Sequence, residues 1–139
     1  SYKTDKLAKA DSSAMTKISK ALRKMEFSQE NGTDIFNTVK SFVNTYNNLL
    51  ESAGSSNEYG IYHPEKFVKN LTKDQEDALK DLGITISASG KLKLDEDTLM
   101  GSKPSKIGKL FSEDSDFTNK INFYANKIYR AASHVDITL

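Results

Sequence analysis

Apolar side chains recur at steps of four and three residues through the second quarter of the chain. They occupy Ile35, Val39, Phe42, Tyr46, Leu49 and Ala53. A second row runs beside the first at intervals of seven residues and consists of Phe36, Val43 and Leu50. This spacing places both rows on one side of an α-helix, and two adjacent rows form a face as wide as those of helical bundles. The pattern predicts a helix over residues 34–53 that packs against several neighbours.

The same periodicity returns in the last third of the chain. Its apolar positions are Phe117, Ile121, Tyr124, Ile128, Ala131 and Val135. They predict a second long helix over residues 115–134. A weaker stripe near the start consists of Ala14, Ile18, Ala21 or Leu22, and Met25. It predicts a helix over residues 11–26, and its small side chains indicate close approach to a neighbouring helix.

The segment between the two strong stripes has a different pattern. A run of polar residues and glycines over 54–60 predicts a loop. Pro64 is expected to open the next helix, because proline is favoured in the first helical turn. Thr72 and Gln75 have the spacing of a capping box. Residues 65–82 are therefore predicted to be helical.

A change to a period of two residues then predicts a β-hairpin over residues 83–95. The alternating apolar residues are Ile84, Ile86, Leu92 and Leu94. They flank a turn at 88–90. Asp95 is placed to cap a short helix and Pro104 to start another, so short helices are predicted within 96–111. A hairpin of this length is not stable by itself and must lean on the helices.

Together these elements predict a mainly α fold, a helical bundle with coiled-coil-like helices and one small β-hairpin, in a single domain over residues 1–139. The composition agrees, with 37% hydrophobic and 28% charged residues. The formal net charge of +1 gives no electrostatic reason to expect nucleic acid or an anionic membrane as partner. No apolar run approaches the roughly 18–20 residues that cross a bilayer. The absence of cysteine excludes disulfides, thiolate metal sites and cysteine nucleophiles.

Residues that carry chemistry are scattered along the chain rather than grouped in motifs. His63 and His134 lie far apart, and a lone histidine is more often a surface or capping residue than a ligand. The acidic run 95–97 lacks the alternating oxygens and central glycine of an EF-hand loop, and helix capping explains it more simply. The glycines do not have the spacing of a phosphate-binding loop. We predict no catalytic, metal or cofactor-binding residue, and no enzyme; an enzyme would need a pocket of convergent titratable groups.

The aromatic residues of the two long stripes have two interpretations. Within a domain, aromatic side chains at helical spacing usually form the core. Alternatively, some of them contact a partner. Tyr124 and Tyr129 are the better candidates for partner contact, because a tyrosine at the edge of a stripe tolerates water at its hydroxyl group.

Several short motifs occur in an order that resembles one protein family. They are Val39 to Leu50 with its Tyr46-Asn47-Asn48-Leu49 signature, Leu82-Gly83-Ile84, Ser89-Gly90-Lys91-Leu92-Lys93-Leu94-Asp95-Glu96, and Pro104, Ile107, Leu110 and Phe111. In this order they resemble the C-terminal conserved region of the flagellar filament-capping protein, also called hook-associated protein 2. The resemblance extends over residues 35–132. The large head domains of that family have no counterpart in these 139 residues.

The resemblance implies a non-catalytic structural or assembly module that acts through helix packing and contacts between proteins. It implies structural roles for Tyr46, Asn47, Gly83, Gly90, Leu92, Asp95, Leu110 and Phe111. Its partners would be flagellin, a hook-junction protein or a second copy of the chain. It also implies a bacterial, extracellular, flagellum-associated location, which type III export reaches without a cleaved leader. The alternative is a stand-alone binding or regulatory module that reuses the fold outside the flagellum.

Overall fold

The structure, a computed structural model, describes the backbone of residues 2–138 and the side chains of residues 3–135. Within that part, the elements are α1 (Tyr2–Lys24), a short 3-10 helix (Gln29–Asn31), α2 (Gly32–Gly54), α3 (Tyr59–Lys73), α4 (Glu76–Asp81), β1 (Ile84–Ile86), β2 (Leu92–Leu94), α5 (Glu96–Met100), α6 (Pro104–Phe111) and α7 (Asp116–Thr138). The two strands pair antiparallel. The predicted mainly α fold with one small hairpin is confirmed.

Helices α1, α2, α3 and α7 form a four-helix bundle in which α1 and α3 each lie between α2 and α7. Side-chain hydrogen bonds join Ser56 to Asp5 and Ser52 to Asp11, so α1 and α2 run antiparallel. The ring of Phe67 on α3 lies on a ring near the middle of α7. The two short connections between α1, α2 and α3 make an up-and-down arrangement typical of such bundles.

The core continues from the bundle into the segment between α3 and α7. Phe42 lies at its centre and has no exposed surface. Its ring meets that of Phe111 edge-on at 5.3 Å between centroids, and that of Phe117 at 6.0 Å. This aromatic group joins α2, α6 and the start of α7, and so ties the short helices to the bundle.

Helix α1 corrects the prediction for the start of the chain. It begins at Tyr2 rather than at residue 11, and ends at Lys24. The predicted stripe is wrong in part: Leu22 is fully buried and Ile18 and Met25 pack against the core, whereas Ala14 is only half-buried and Ala21 is exposed. The buried residues instead form two rows with heptad spacing, which are Asp5, Ser12 and Ser19 in one and Ala8, Met15 and Leu22 in the other. Because one of the two buried rows is polar, the sequence shows only a single narrow apolar row here and not the wide apolar face of α2.

The predicted helix 65–82 is in fact two helices with a break at residues 74–75. The first begins at Tyr59, so the predicted loop shortens to residues 55–58 and Pro64 lies inside α3. Thr72 does not cap the second helix; its hydroxyl group donates to the carbonyl oxygen of Val68 within α3, at 2.9 Å. Proline is tolerated there because the carbonyl that it leaves unpaired belongs to Gly60, in the exposed first turn.

The two long helices lie close to their predicted bounds. Helix α2 extends the predicted range 34–53 by two residues at the start and one at the end, and its N-cap residue Asn31 makes no side-chain capping bond. Helix α7 runs past residue 134 to Thr138. Its buried face is rotated slightly from the predicted stripe, because Ala125 and Ala132 are buried where Tyr124 and Ala131 are only partly buried.

The hairpin is attached to α2 through the side-chain amide of Asn47. The amide nitrogen donates to the carbonyl oxygen of Leu92 at 2.8 Å, and its oxygen accepts from the Leu92 amide at 2.7 Å. The backbone groups of Leu92 can pair with Asn47 because they point away from the first strand. The hydrogen bonds to the first-strand side are made by its neighbours: the carbonyl oxygen of Lys91 accepts from the Ser87 amide, and the Asp95 amide donates to the carbonyl oxygen of Gly83. One side chain therefore substitutes for a third strand.

Replacing Asn47 by alanine is expected to lower the free energy of unfolding by about 1–3 kcal/mol, because both backbone groups of Leu92 lose their partner. Asn47→Asp should lose at least as much, since a carboxylate can accept from the amide but cannot donate to the carbonyl. Urea unfolding measures both. The matched control is Asn48→Ala, an exposed neighbour on the same helix, expected to change stability by less than about 0.5 kcal/mol. Equal losses at positions 47 and 48 would contradict the assigned role.

Candidate functional site

Six aromatic rings make a continuous series across the surface of α3 and α7, which we call the aromatic strip. Its members are Tyr59, Tyr62, His63, Phe67, Phe123 and Tyr124. Tyr59 stacks on His63 at 4.5 Å between ring centroids, and His63 meets Phe67 edge-on at 5.2 Å. Phe67 then stacks on Tyr124 across the helix interface, with centroids 5.2 Å apart and planes only 3° from parallel.

Much of the aromatic strip faces solvent. Tyr59 is 62% exposed, Phe67 is 42% exposed and Phe123 is 55% exposed. Single exposed apolar side chains are ordinary, whereas a contiguous apolar patch on a soluble domain commonly marks an interaction site. The rings also hold one another in place, so a partner would meet an ordered surface and would not have to immobilise it.

Lysine side chains border the aromatic strip. The ammonium group of Lys66 lies 5.7 Å from the ring centre of Tyr62, and that of Lys127 lies 5.1 Å from the ring centre of Phe123. Both are cation–π contacts. Lys120, one turn before Phe123, is exposed as well. The strip therefore combines an apolar centre with a positively charged border.

The sequence-predicted partner residues fall in different places. Tyr124 belongs to the aromatic strip and is partly buried against the core. Tyr129 is 37% exposed on the same helix but is not among the ring contacts that make the strip. The strip therefore includes one of the two predicted tyrosines, while most of its exposed area comes from residues that sequence reasoning did not select.

The first half of the strip was missed because residues 54–60 were interpreted as a loop and Pro64 as a helix start. A usable signal was nevertheless present. Tyr59, His63 and Phe67 are spaced four residues apart. The residues of the same helix that turn inward are Ile61, Pro64, Glu65, Val68 and Thr72. Once the segment is taken as helical, this second periodic set occupies the core and leaves the aromatic set facing outward.

The residues that the family resemblance selects have structural positions away from the aromatic strip. Asn47 and Leu92 form the link between α2 and the hairpin. Gly83 and Gly90, at the two ends of the first strand and its turn, have φ angles of +86° and +89°. The side chain of Asp95 caps α5 by accepting from the amide of Thr98, as predicted. Leu110, Phe111 and Tyr46 are buried in the core.

Tyr46 is a core residue with a polar end. Its side chain has no exposed surface, and burial raises the pKa of its hydroxyl well above the ordinary value. The nearby Thr72 hydroxyl and the Glu65 carboxyl influence the same group, one lowering and the other raising the pKa. The hydroxyl therefore stays protonated, and it is buried without a hydrogen-bond partner among the described residues.

A cleft of about 390 Å³ lies between the end of α2, helix α3 and the hairpin turn. Glu65 is at its base, with a side chain only 6% exposed and a carboxyl oxygen 3.7 Å from the ammonium of Lys69. Burial raises the pKa of Glu65, and Lys69 offsets part of this rise. At the rim, Lys91 lies 2.6 Å from Glu51 and lowers the pKa of that carboxyl. The cleft is thus organised as two lysine–glutamate pairs.

The two glutamates of this cleft should respond to pH in opposite directions. Burial raises the folded-state pKa of Glu65, so its stabilising contribution is complete at low pH and is lost as the pH rises through that pKa. Glu65→Gln should therefore become more stable relative to the parent as the pH rises above about 4.3, the ordinary pKa of a glutamate. Glu51→Gln is the control of opposite sign, because the lowered pKa of Glu51 adds stability that is lost on acidification. Urea unfolding at several pH values measures both, and equal slopes would contradict this assignment.

No group of three or more His, Asp or Glu side chains among the described residues is arranged to hold a metal ion. No helix in this part of the chain has both the length and the apolar character that a membrane span requires.

Comparison of the chain with family models, with curated proteins and with solved structures finds no match.

Proposed function

We propose that this chain is a non-catalytic structural or assembly module, similar to the C-terminal region of the flagellar filament-capping protein, which works by helix packing and by contacts with other proteins. The observation that supports the proposal most is the aromatic strip. The exposed parts of Tyr59, Phe67 and Phe123 are not covered by the described part of the chain, and aromatic residues are enriched where proteins bind each other. A flagellum-associated, extracellular location belongs to the same proposal.

The short motifs that carry the resemblance support it in a second way. Asn47 and Leu92, which are far apart in the sequence, act as one unit in the fold. Gly83 and Gly90 set the hairpin that this unit holds. These residues attach the hairpin to α2, whereas the aromatic strip is the surface available to a partner.

A binding experiment with purified flagellar proteins tests the proposal. The immobilised chain is exposed to full-length flagellin and, separately, to a hook-junction protein from the same organism, and retention is measured against concentration. One of the two is expected to bind the parent chain and to lose at least ten-fold in affinity with the double variant Phe67→Ala and Phe123→Ala. Met100→Ala is the matched control, because Met100 is a large apolar side chain, 66% exposed, on α5.

Two outcomes would contradict the flagellar proposal. One is the absence of binding to either protein. The other is binding that Phe67→Ala and Phe123→Ala leave unchanged. If neither protein binds, the remaining function is that of a stand-alone binding or regulatory module outside the flagellum.

A further inference from the structure

We infer that the aromatic strip is the docking groove for an amphipathic helix of a partner protein whose apolar stripe is bordered by aspartate or glutamate. The inference rests on the proposed function as a protein-contact module and adds the chemistry of the partner. Three observations carry it, which are the charge around the strip, the use of the ring faces, and the shape of the surface between two antiparallel helices.

Charge is unevenly distributed over the bundle. Helices α3 and α7, which carry the strip, contain six Lys and Arg residues and three Asp and Glu residues. On α3 the one acidic residue, Glu65, is buried at the base of the cleft, whose lining also includes Tyr62 and Lys66. Among the described side chains of α7, the one acid is Asp116 in the first turn. The border of the strip is therefore positive, although the whole chain is almost neutral.

The positive border decides between kinds of protein partner. Two copies of the chain that met through the same strip around a two-fold axis would bring Lys66, Lys120 and Lys127 of each copy together. Like charges in contact across an interface are unfavourable. A partner with carboxylates beside its apolar residues would instead form ion pairs with these lysines. Complementary charge therefore favours an acidic partner over symmetric self-pairing.

The arrangement of the rings argues against nucleic acid. Proteins bind single strands by stacking bases on free aromatic faces. Here the faces of Phe67 and Tyr124 cover each other, and those of Tyr59 and His63 do the same. Lys66 and Lys127 lie over two further rings. One face of each stacked ring is therefore already covered, which leaves fewer free faces for bases than an open stacking platform has.

The shape of the surface favours a helix. Helices α3 and α7 run antiparallel, because Phe67 lies against Tyr124 while Gly60 lies against Ala131. The rings of Tyr59, His63 and Phe67 follow one side of α3, which is about 22 Å long at 1.5 Å per residue, and Tyr124 and Phe123 continue the strip on α7. A partner helix of about four turns that lies along α3 would place residues i, i+3, i+4 and i+7 on the rings, as in other complexes that bind an amphipathic helix.

A selection experiment tests this without assuming the partner sequence. A phage-displayed library of 20-residue peptides with randomised helical faces is selected on the full chain and counter-selected on Phe67→Ala plus Phe123→Ala. The enriched peptides are synthesised and their affinity is measured by fluorescence anisotropy. We expect apolar residues at helical spacing with net negative charge, and an affinity loss of at least ten-fold on the double variant.

A charge swap provides the second measurement and remains interpretable if the alanine variant is poorly folded. Lys66→Glu plus Lys127→Glu should weaken the acidic peptides at least five-fold, and replacing peptide Glu by Lys should restore binding. Circular dichroism checks that each variant keeps its helix content. Enriched peptides that are basic, or that lack helical periodicity, would overturn the inference, as would failure of the charge-swapped pair.

Three further probes identify other occupants of the strip. Sedimentation of the chain alone tests strip-dependent self-association, while a single-stranded oligonucleotide and phosphatidylserine vesicles test the two anionic alternatives. Strip-dependent binding in any of these, without peptide binding, would overturn the inference.

If flagellin binds through the strip but no acidic helical peptide does, the proposed function stands and this inference fails. If peptides bind but no flagellar protein does, the flagellar proposal fails alone.

Discussion

Replacing Phe42 by alanine is expected to lower the free energy of unfolding by about 3–5 kcal/mol, enough to unfold a marginally stable domain. Phe42 has no exposed surface and contacts the rings of Tyr46, Phe111 and Phe117. Its removal would leave a cavity where α2, α6 and α7 meet, in addition to the lost burial of the ring. Chemical denaturation followed by far-UV circular dichroism measures the effect.

Phe123→Ala is the control for this change, because the same side chain is removed from a position that is 55% exposed. Its cost should stay below about 1 kcal/mol. Ile121→Ala, at a fully buried position two residues away, should cost about 2–5 kcal/mol. A loss below about 1 kcal/mol for Phe42→Ala would mean that this position is not part of the core.

Gly83→Ala is expected to cost about 2–4 kcal/mol, because it combines backbone strain with steric overlap. The φ angle of +86° is one that residues with a Cβ atom rarely adopt. A Cβ atom built there would lie 2.7 Å from the Cβ of Thr98 and 2.8 Å from the carbonyl oxygen of Asp95. The second clash is with the backbone, which a side-chain rotation cannot relieve. The hairpin and the start of α5 would have to separate.

Gly90→Ala separates the two contributions. Its φ angle of +89° is nearly the same. A Cβ atom at that position would meet only the end of the Lys69 side chain at 3.2 Å, and this flexible group can move. We expect a loss of about 1–2 kcal/mol from backbone strain alone. Thermal or urea unfolding of both variants measures the difference, and an equal or larger loss for Gly90→Ala would contradict the steric explanation.

Substitutions of Phe42, Gly83, Gly90 and Phe123 also distinguish an effect on stability from an effect on binding. Phe42, Gly83 and Gly90 act within the fold, whereas Phe123 lies on the surface with its ring against Tyr124 and Lys127. Substitution of Phe123 should therefore change partner affinity much more than stability. A surface with that behaviour is a binding surface, and a residue such as Phe42 would lose binding only because the domain unfolds.

The elements that were predictable from the sequence are those in which local pattern and burial agree. Helix α2 presents Ile35, Val39 and Phe42 at helical spacing, and each is buried. The hairpin strands alternate in the sequence and pair as that alternation implies. Asp95 and Pro104 occupy the cap and first position of their helices, because both effects depend only on neighbouring backbone groups.

The failures occur where burial does not follow hydrophobicity. The hydrophobic pattern does not predict the first turns of α1, where the buried side chain of Asp5 is charged. Ser12 and Ser19 continue this polar buried row further along the helix. Asp5 is accepted there because the Ser56 hydroxyl donates to it at 2.6 Å from the neighbouring helix. A polar residue can be buried when a partner on another element satisfies it, and that partner is 51 residues away in the sequence.

The helical class of this protein and the place of its hairpin follow from the sequence, because periodicity and capping are properties of neighbouring residues. Which face of α1 is buried, how Asn47 binds the edge of the hairpin, and how the rings of α3 and α7 meet as one exposed strip follow from packing alone. Each of these depends on two segments that are distant along the chain and are brought together by packing. The candidate surface belongs to this second group, since the stack of Phe67 on Tyr124 exists only when α3 and α7 lie side by side.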